Sequence, residues 1–301
     1  MPESLSLRRT DDSLIVKTAG VDIARYVFEP TAPTAEAPKP FLHPLRTLRG
    51  APLSVHRPWD HRWHKGLQMT WSHVSDANFW GGPTYSRDGG YQWRDNLGSI
   101  RHETFTSVTD TGPEVSFAER LQWVSPSGDQ WMDETRTHSF NSVDSGRGIW
   151  ALDFSSTLQN VSGKEIELGS PTTHGREAAG YAGFFWRGPR AWTGGRVRSS
   201  ASPADGGFMG SKADWLALSG EHDDFDGGGT VLVYAGSSSA QAPIKWFVRN
   251  EPFAAISPSP SFDEEVVLSH HDTLQLRHRY VFIDSYCDDS DLTRLAMEFT
   301  P

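Results

Sequence analysis

The sequence predicts an all-β fold, and three observations carry that expectation. Short segments alternate apolar and polar side chains along most of the chain, the spacing of half-buried strands. Clusters of Gly, Pro, Asn, Asp and Ser punctuate them. A single stretch, at the C-terminus, has helical periodicity behind a capping residue. A chain of 301 residues can bury a sizeable core, and residues 1–301 read as one domain.

The elements follow in order. Residues 12–30 alternate around a central Ala-Gly and read as a hairpin. Thr31 to Pro40 is rich in Pro and Ala and reads as a surface loop. Gly98–Val108, Glu114–Val124 and Gln130–Phe140 read as strands separated by turns at 110–113 and 125–128. Within the third, Met132, Glu134, Arg136 and His138 share one face, which meets solvent or lines a polar cleft; solvent is the commoner outcome. Ile149–Asn160, Ile166–Gly169, Asp214–Ser219 and Gly229–Ala235 continue the pattern, with Ser199 to Met209 as loop. The acidic turn at 221–229 lacks the spacing of a calcium loop and reads as solvated. Val266–Leu268 and Leu274–Ile283 read as a closing hairpin with His270 and His271 exposed in its turn. Asp288 to Phe299 is the short C-terminal helix.

Composition narrows function. The net charge of −10 (28 basic against 38 acidic residues) gives a nucleic-acid backbone little support. The single Cys287 excludes an intramolecular disulfide and a cysteine metal cluster, and suits a reducing compartment. The first residues lack the apolar run of a secretory signal, and no later run is long enough to span a bilayer. A cytoplasmic protein, monomer or homodimer, without nucleic-acid or membrane partner, is the expectation.

Two dense stretches concentrate chemistry. Residues 59–80 hold His61, His64, His73, Asp60, Lys65 and four tryptophans, Trp59, Trp63, Trp71 and Trp80. Rings for stacking and imidazoles for proton transfer or metal binding suit a ligand-binding floor. The competing reading makes the tryptophans core and the histidines backbone-satisfied. Residues 170–192 offer His174, Arg176, Glu177, Tyr181, Trp186, Arg187 and Arg190 among glycines that let backbone approach a ligand.

The segments HPLRT (43–47), DHRWHKGLQMTW (60–71), NFW (78–80), GREAAGYAGFFWRGPR (175–190), ADWLALSG (213–220) and WFVRNEPFA (246–254) resemble the PmoA-like family. Its members often carry the label "methane oxygenase PmoA", which a chain without a spanning segment does not suit. The family's central block runs close to Asp-His-Pro-His-His-Arg-Gly. His61, His64 and Gly66 keep their places here, while Arg62, Trp63 and Lys65 replace Pro, His and Arg. At fold level the chain is similar to galactose mutarotase-like proteins, which implies a β-supersandwich. LQNVSGKEIELGSPTTHG is similar to the segment that delivers their general-acid histidine, implying that role for His174. Their general-base glutamate has no counterpart: Ala254 to Pro258 stands there.

The resulting expectation is a carbohydrate-active enzyme of hydrolase, lyase or epimerase type. His64, His174, Glu177 and His61 are its candidate catalytic groups. Candidate substrate contacts are His43, Arg57, Trp71, Trp80, Glu134, Tyr181, Trp186, Arg187, Lys245 and Trp246. No cofactor is expected. A divalent metal at His61 and His64 is an alternative that requires the two to converge in a turn, since i, i+3 residues face opposite ways on a strand. A non-catalytic sugar-binding module is the other alternative. No nucleophile elbow or phosphate loop occurs.

Overall fold

The computed structural model describes residues 3–201 and 207–301; part of the Ser199–Met209 loop, residues 202–206, lies outside them. Among the described residues, antiparallel strands form two large sheets, of nine and eight strands, and two small ones, of three and two. The nine-stranded sheet runs Thr111–Gly112, Leu5–Arg9, Ser13–Thr18, Val21–Val27, Phe41–Leu45, Leu67–Thr70, Gly183–Arg187, Ala255–Ser259, Lys245–Arg249. The eight-stranded sheet runs Arg196–Ser199, Trp215–Glu221, Gly228–Tyr234, Thr273–Ile283, Ile149–Asn160, Gln130–Asp144, Val115–Val124, Ser99–Thr109. Alternate residues of both meet in one extended apolar core running from Leu5 to Phe282. The all-β expectation holds, and the first hairpin turns at Ala19-Gly20 as read.

The face of Gln130–Asp144 that carries Met132, Glu134, Arg136 and His138 meets neither solvent nor a cleft. All four are buried between the sheets. There the Arg136 guanidinium donates to both Glu134 oxygens (2.8 and 2.9 Å), to the Tyr26 hydroxyl (3.3 Å) and to the Met69 carbonyl (3.4 Å). Glu134 also accepts from Trp123 Nε1 and Ser156 Oγ, each at 2.8 Å. Tyr26 donates in turn to Glu119, whose second oxygen lies 2.6 Å from His102 Nδ1. A charge leaves water at tolerable cost only when paired and hydrogen-bonded. Burial alone would drive Arg136 toward neutrality; Glu134, Tyr26 and Glu119 hold it charged. Glu134 is therefore a core group and not a substrate contact.

Two further expectations are corrected. Val266–Leu268 does not form a hairpin with Thr273–Ile283; it pairs with Ile166–Leu168 in the three-stranded sheet. Asn160 accounts for this, since its side-chain amide donates to the carbonyls of Leu268 (2.8 Å) and Lys164 (2.7 Å) and ties the chain there. His270 and His271 are exposed as expected. The 31–40 loop is buried in its second half, where Thr34–Glu36 makes a 3-10 turn and Glu36 and Lys39 are enclosed.

The helix Asp289–Glu298 is capped by the Asp288 side chain, which accepts from Asp291 N at 2.8 Å. Leu292, Leu295 and Ala296 pack with Ile149, Leu232 and Val281. Among the described residues no helix is long and apolar enough to cross a membrane.

Arg136→Met leaves Glu134 and Glu119 without their shared cation in the core, and should lower the unfolding free energy by about 3–5 kcal/mol. A urea titration indistinguishable from that of the unsubstituted protein would show that the buried pair does not hold the sheets together.

Candidate functional site

The strands Gly183–Arg187 and Lys245–Arg249, separated in the sheet by Ala255–Ser259, each present two faces. Phe184, Trp186, Trp246 and Val248 enter the inter-sheet core. Phe185 and Phe247 emerge on the other face, in a separate cluster with Trp80 and Phe262. A cleft of about 410 Å³ opens over that second cluster. The phase of alternation settles the fate of three expected sugar platforms. Trp71, Trp186 and Trp246 are each 0% exposed. Their indole nitrogens are satisfied inside, by Ser261 Oγ, the Leu53 carbonyl and the Ala213 carbonyl. They are core rings.

The histidine segment is a turn. His61 N donates to the Pro58 carbonyl and His64 N to the His61 carbonyl, both at 3.0 Å, and Arg57 N returns to the His64 carbonyl at 2.9 Å. This coiling brings His61 and His64 onto one side, their rings stacked at 4.6 Å with planes 17° apart. Both line the cleft. Arg187, fully buried from the next strand, donates to His64 Nδ1 (2.8 Å) and to Asp60 Oδ2 (3.0 Å). Its guanidinium also lies over the Phe253 ring at 3.6 Å. Burial would raise the Asp60 carboxyl, but hydrogen bonds from His61 and Arg187 outweigh it and hold the group at about 2.

These contacts assign the tautomers. A guanidinium only donates, so His64 Nδ1 accepts and its proton is on Nε2. The Asp60 carboxylate only accepts, so His61 Nδ1 (2.9 Å away) donates and its Nε2 carries the lone pair. Burial lowers both imidazoles, His64 far more than His61, whose fall Asp60 partly offsets. Near neutral pH the stacked pair therefore offers one proton acceptor and one N–H donor.

The walls are aromatic. Trp63 rests on Gly81-Gly82, where both residues have positive φ (+94° and +71°) and a Cβ on Gly82 would come within 2.5 Å of the indole. Trp80 packs on Tyr181 and Phe185 at 4.7 and 4.9 Å between centroids. The buried Lys39 Nζ donates to the Trp80 carbonyl (2.7 Å) and to those of Glu36 and Ala37, which braces that wall. The two-stranded hairpin Thr84–Ser86 and Gly90–Gln92 adds Tyr85 and Tyr91. Tyr91 accepts from Arg176 Nη1, and its hydroxyl lies 3.0 Å from that of Tyr181. Arg249 completes the lining on this side.

Of the residues expected from sequence, His61, His64, Trp80 and Tyr181 line the cleft, with Arg187 immediately behind. The others are engaged elsewhere. Arg57 pairs with Glu36 at 2.7 Å, Lys245 with Asp263 at 2.5 Å, and His43 Nδ1 with Ser54 Oγ at 2.9 Å. His174 does not line the cleft: it stacks on His73 at 4.0 Å and holds the Ser170 carbonyl through Nδ1 at 3.2 Å. Glu177 is exposed and outside the lining. His73 itself donates to the Tyr85 carbonyl (3.0 Å) and meets Ser72 Oγ (3.0 Å), which makes it a brace. Reading by sequence places Asp60 and Arg176 in the two dense stretches without assigning them a role, and misses Tyr85, Tyr91, Phe247, Arg249 and Phe253 as members. The Asp-Gly-Gly turn between Tyr85 and Tyr91 is a hairpin signal that points to two of them.

Among the described residues no three His, Cys, Asp or Glu side chains come together as a metal-ligand set. His61 and His64 each have Nδ1 engaged, leaving one nitrogen apiece.

The profile of a family of unknown function, DUF6807, matches residues 13–297, and the chain belongs to that family. The PmoA label does not accompany the match. No curated protein matches the sequence. Among solved structures, the GH36 α-galactosidase AgaB of Geobacillus stearothermophilus is 12% identical, with a TM-score of 0.45 over 93% of this chain and 41% of its own. A putative aldose 1-epimerase from Klebsiella pneumoniae is 11% identical, with a TM-score of 0.38 over 98% of this chain and 82% of its own. A galactose mutarotase related enzyme from Lactobacillus acidophilus is 10% identical, with a TM-score of 0.36 over 94% of this chain and 100% of its own. The chain thus spans well under half the length of the α-galactosidase.

Burial holds His43 at about 3 and His56, His73 and His278 at about 4. An unfolded histidine titrates at about 6.5, so between these values the unfolded chain binds more protons. Stability should be complete above about pH 6.5 and be lost as pH falls toward 4. A thermal midpoint that stayed level through that range would contradict the buried neutral histidines. Gly82→Ala should cost about 1–2 kcal/mol from its left-handed backbone alone. It should also dislodge Trp63, visible as changed tryptophan fluorescence.

Proposed function

We propose that the chain is an enzyme acting on a carbohydrate or sugar-derived molecule, with His61 and His64 moving or polarising the reacting proton. One observation carries the reading: two stacked imidazoles face an aromatic-walled cleft, one offering a lone pair and the other an N–H. Aromatic faces suit the apolar face of a sugar ring, and paired acceptor and donor suit adjacent oxygens or a C–H beside a carbonyl. His61, backed by Asp60, is the base; His64 is the hydrogen-bond donor. Among the described residues no carboxylate lines the cleft. The two-carboxylate route of glycoside hydrolysis therefore has no groups to run on, which favours proton abstraction of epimerase or lyase type. A non-catalytic sugar-binding module is the second reading, favoured by the aromatic lining alone.

Incubation with a sugar panel in D₂O, followed by NMR, detects C–H exchange even when no net product forms. Exchange should occur with one sugar class and drop by about 10²–10⁴-fold in His61→Ala. Asp60→Asn should lower it too, since the neutral amide no longer fixes the His61 tautomer. The rate should hold through neutral pH and fall only below the ordinary histidine range, because burial lowers His61 and protonation removes its lone pair. Sugar binding without exchange or turnover would leave the binding-module reading standing.

A further inference from the structure

The chain is acidic overall, with a net charge of −10, yet among the described residues no Asp or Glu lines the cleft. Two guanidinium groups do, those of Arg176 and Arg249. Several neighbouring cations have a carboxylate partner. Arg57 and Lys65 share Glu36, Arg187 and Arg190 share Asp60, and Lys245 has Asp263. Arg176 and Arg249 form no ion pair among the described residues. Arg176 has the Tyr91 hydroxyl and the face of the same ring at 4.8 Å, and Arg249 the face of Phe247 at 5.4 Å. They also repel one another: burial first, then the nearby Arg176 charge, depresses the Arg249 guanidinium.

Two half-buried, mutually repelling cations beside two tyrosine hydroxyls form an incomplete arrangement. Folding would favour a carboxylate there, and none is supplied. We infer that a ligand supplies it: the molecule held beside His61 and His64 is an anionic sugar derivative, a sugar bearing a carboxylate or a phosphate, clamped by Arg176 and Arg249. The inference rests on the carbohydrate reading and adds the charge. The hydroxyls of Tyr91 and Tyr181, 3.0 Å apart, lie within hydrogen-bonding reach of the same region and suit an oxyanion. An arginine fork matches a carboxylate or phosphate edge, which a neutral hydroxyl cannot replace.

Isothermal titration on the full chain tests this with five probes: glucose, glucuronate, galacturonate, glucose 6-phosphate and 4-hydroxybenzoate. At least one sugar acid or phosphate should bind about ten- to a hundredfold tighter than glucose, as one or two charge-assisted hydrogen bonds imply. The preference should shrink with added salt and disappear in both Arg249→Gln and Arg176→Gln. Neither residue has a carboxylate partner to orphan, and circular dichroism checks that both variants fold. The uronate and phosphate arms distinguish the two sources of charge. Glucose binding as tightly as every acid, unaffected by either substitution, would overturn the inference and leave the carbohydrate reading intact. Tight binding of 4-hydroxybenzoate alone, lost in Arg249→Gln, would support the arginine clamp and overturn the carbohydrate reading. Failure of every acid to bind at millimolar concentration would overturn the inference outright.

Discussion

A guanidinium sealed away from water, that of Arg136, is the constraint on which the two large sheets depend. It rises from the eight-stranded sheet and reaches Tyr26 and the Met69 carbonyl of the nine-stranded one. An apolar residue there would pack without asking for an acceptor at a set place on the facing sheet. A buried cation is satisfied in one register only, because each of its donors needs an acceptor at a set distance. Met69 lies in the strand Leu67–Thr70, directly after the histidine turn and before His73. The same contact that aligns the sheets therefore fixes where the candidate site begins.

A second knot, smaller and nearer the surface, repeats the logic. Arg187 reaches from Gly183–Arg187 to Asp60 and His64 in the turn; it sets the His64 tautomer itself and holds Asp60, which sets that of His61. The turn has no ladder of its own to hold it. Three backbone hydrogen bonds, the His56–Lys65 bridge and this guanidinium hold it. Arg187 thus acts through the histidines.

Much of the architecture was legible because alternation is a local signal. Ile149–Asn160, Ile166–Gly169 and Val266–Leu268 appear with the boundaries the pattern suggests. Partners are not local, and the closing hairpin failed there: nothing between residues 266 and 283 says that Asn160 will draw Leu268 into another sheet. The candidate site shows the same limit at finer grain. The cleft draws its lining from residues 61–91, 171–185 and 247–253. Within Lys245–Arg249, however, the aromatic that looked most like a platform, Trp246, is core, and its neighbours Phe247 and Arg249 face the cleft. Alternation states that neighbours part ways without saying which goes inward, and a one-residue error of phase exchanges every assignment. Glu134, Arg136 and His138 misled for a related reason. Three polar residues in a row on one face ordinarily mean water. Here Glu134 and Arg136 satisfy one another, with Tyr26 and the Met69 carbonyl of the other sheet, and burial keeps His138 uncharged.

The hairpin of Thr84–Ser86 and Gly90–Gln92 pairs with itself and with neither large sheet. No strand register depends on its length, and no core ring of the inter-sheet cluster comes from it. Yet it lends Tyr85 and Tyr91 to the cleft. The molecule thereby separates what must be conserved for folding from what can drift. Relatives that keep Asp60, His61, His64 and Arg187 while exchanging this appendage would keep the histidine pair and change the wall it faces. Divergence within the family should be written first in those few residues.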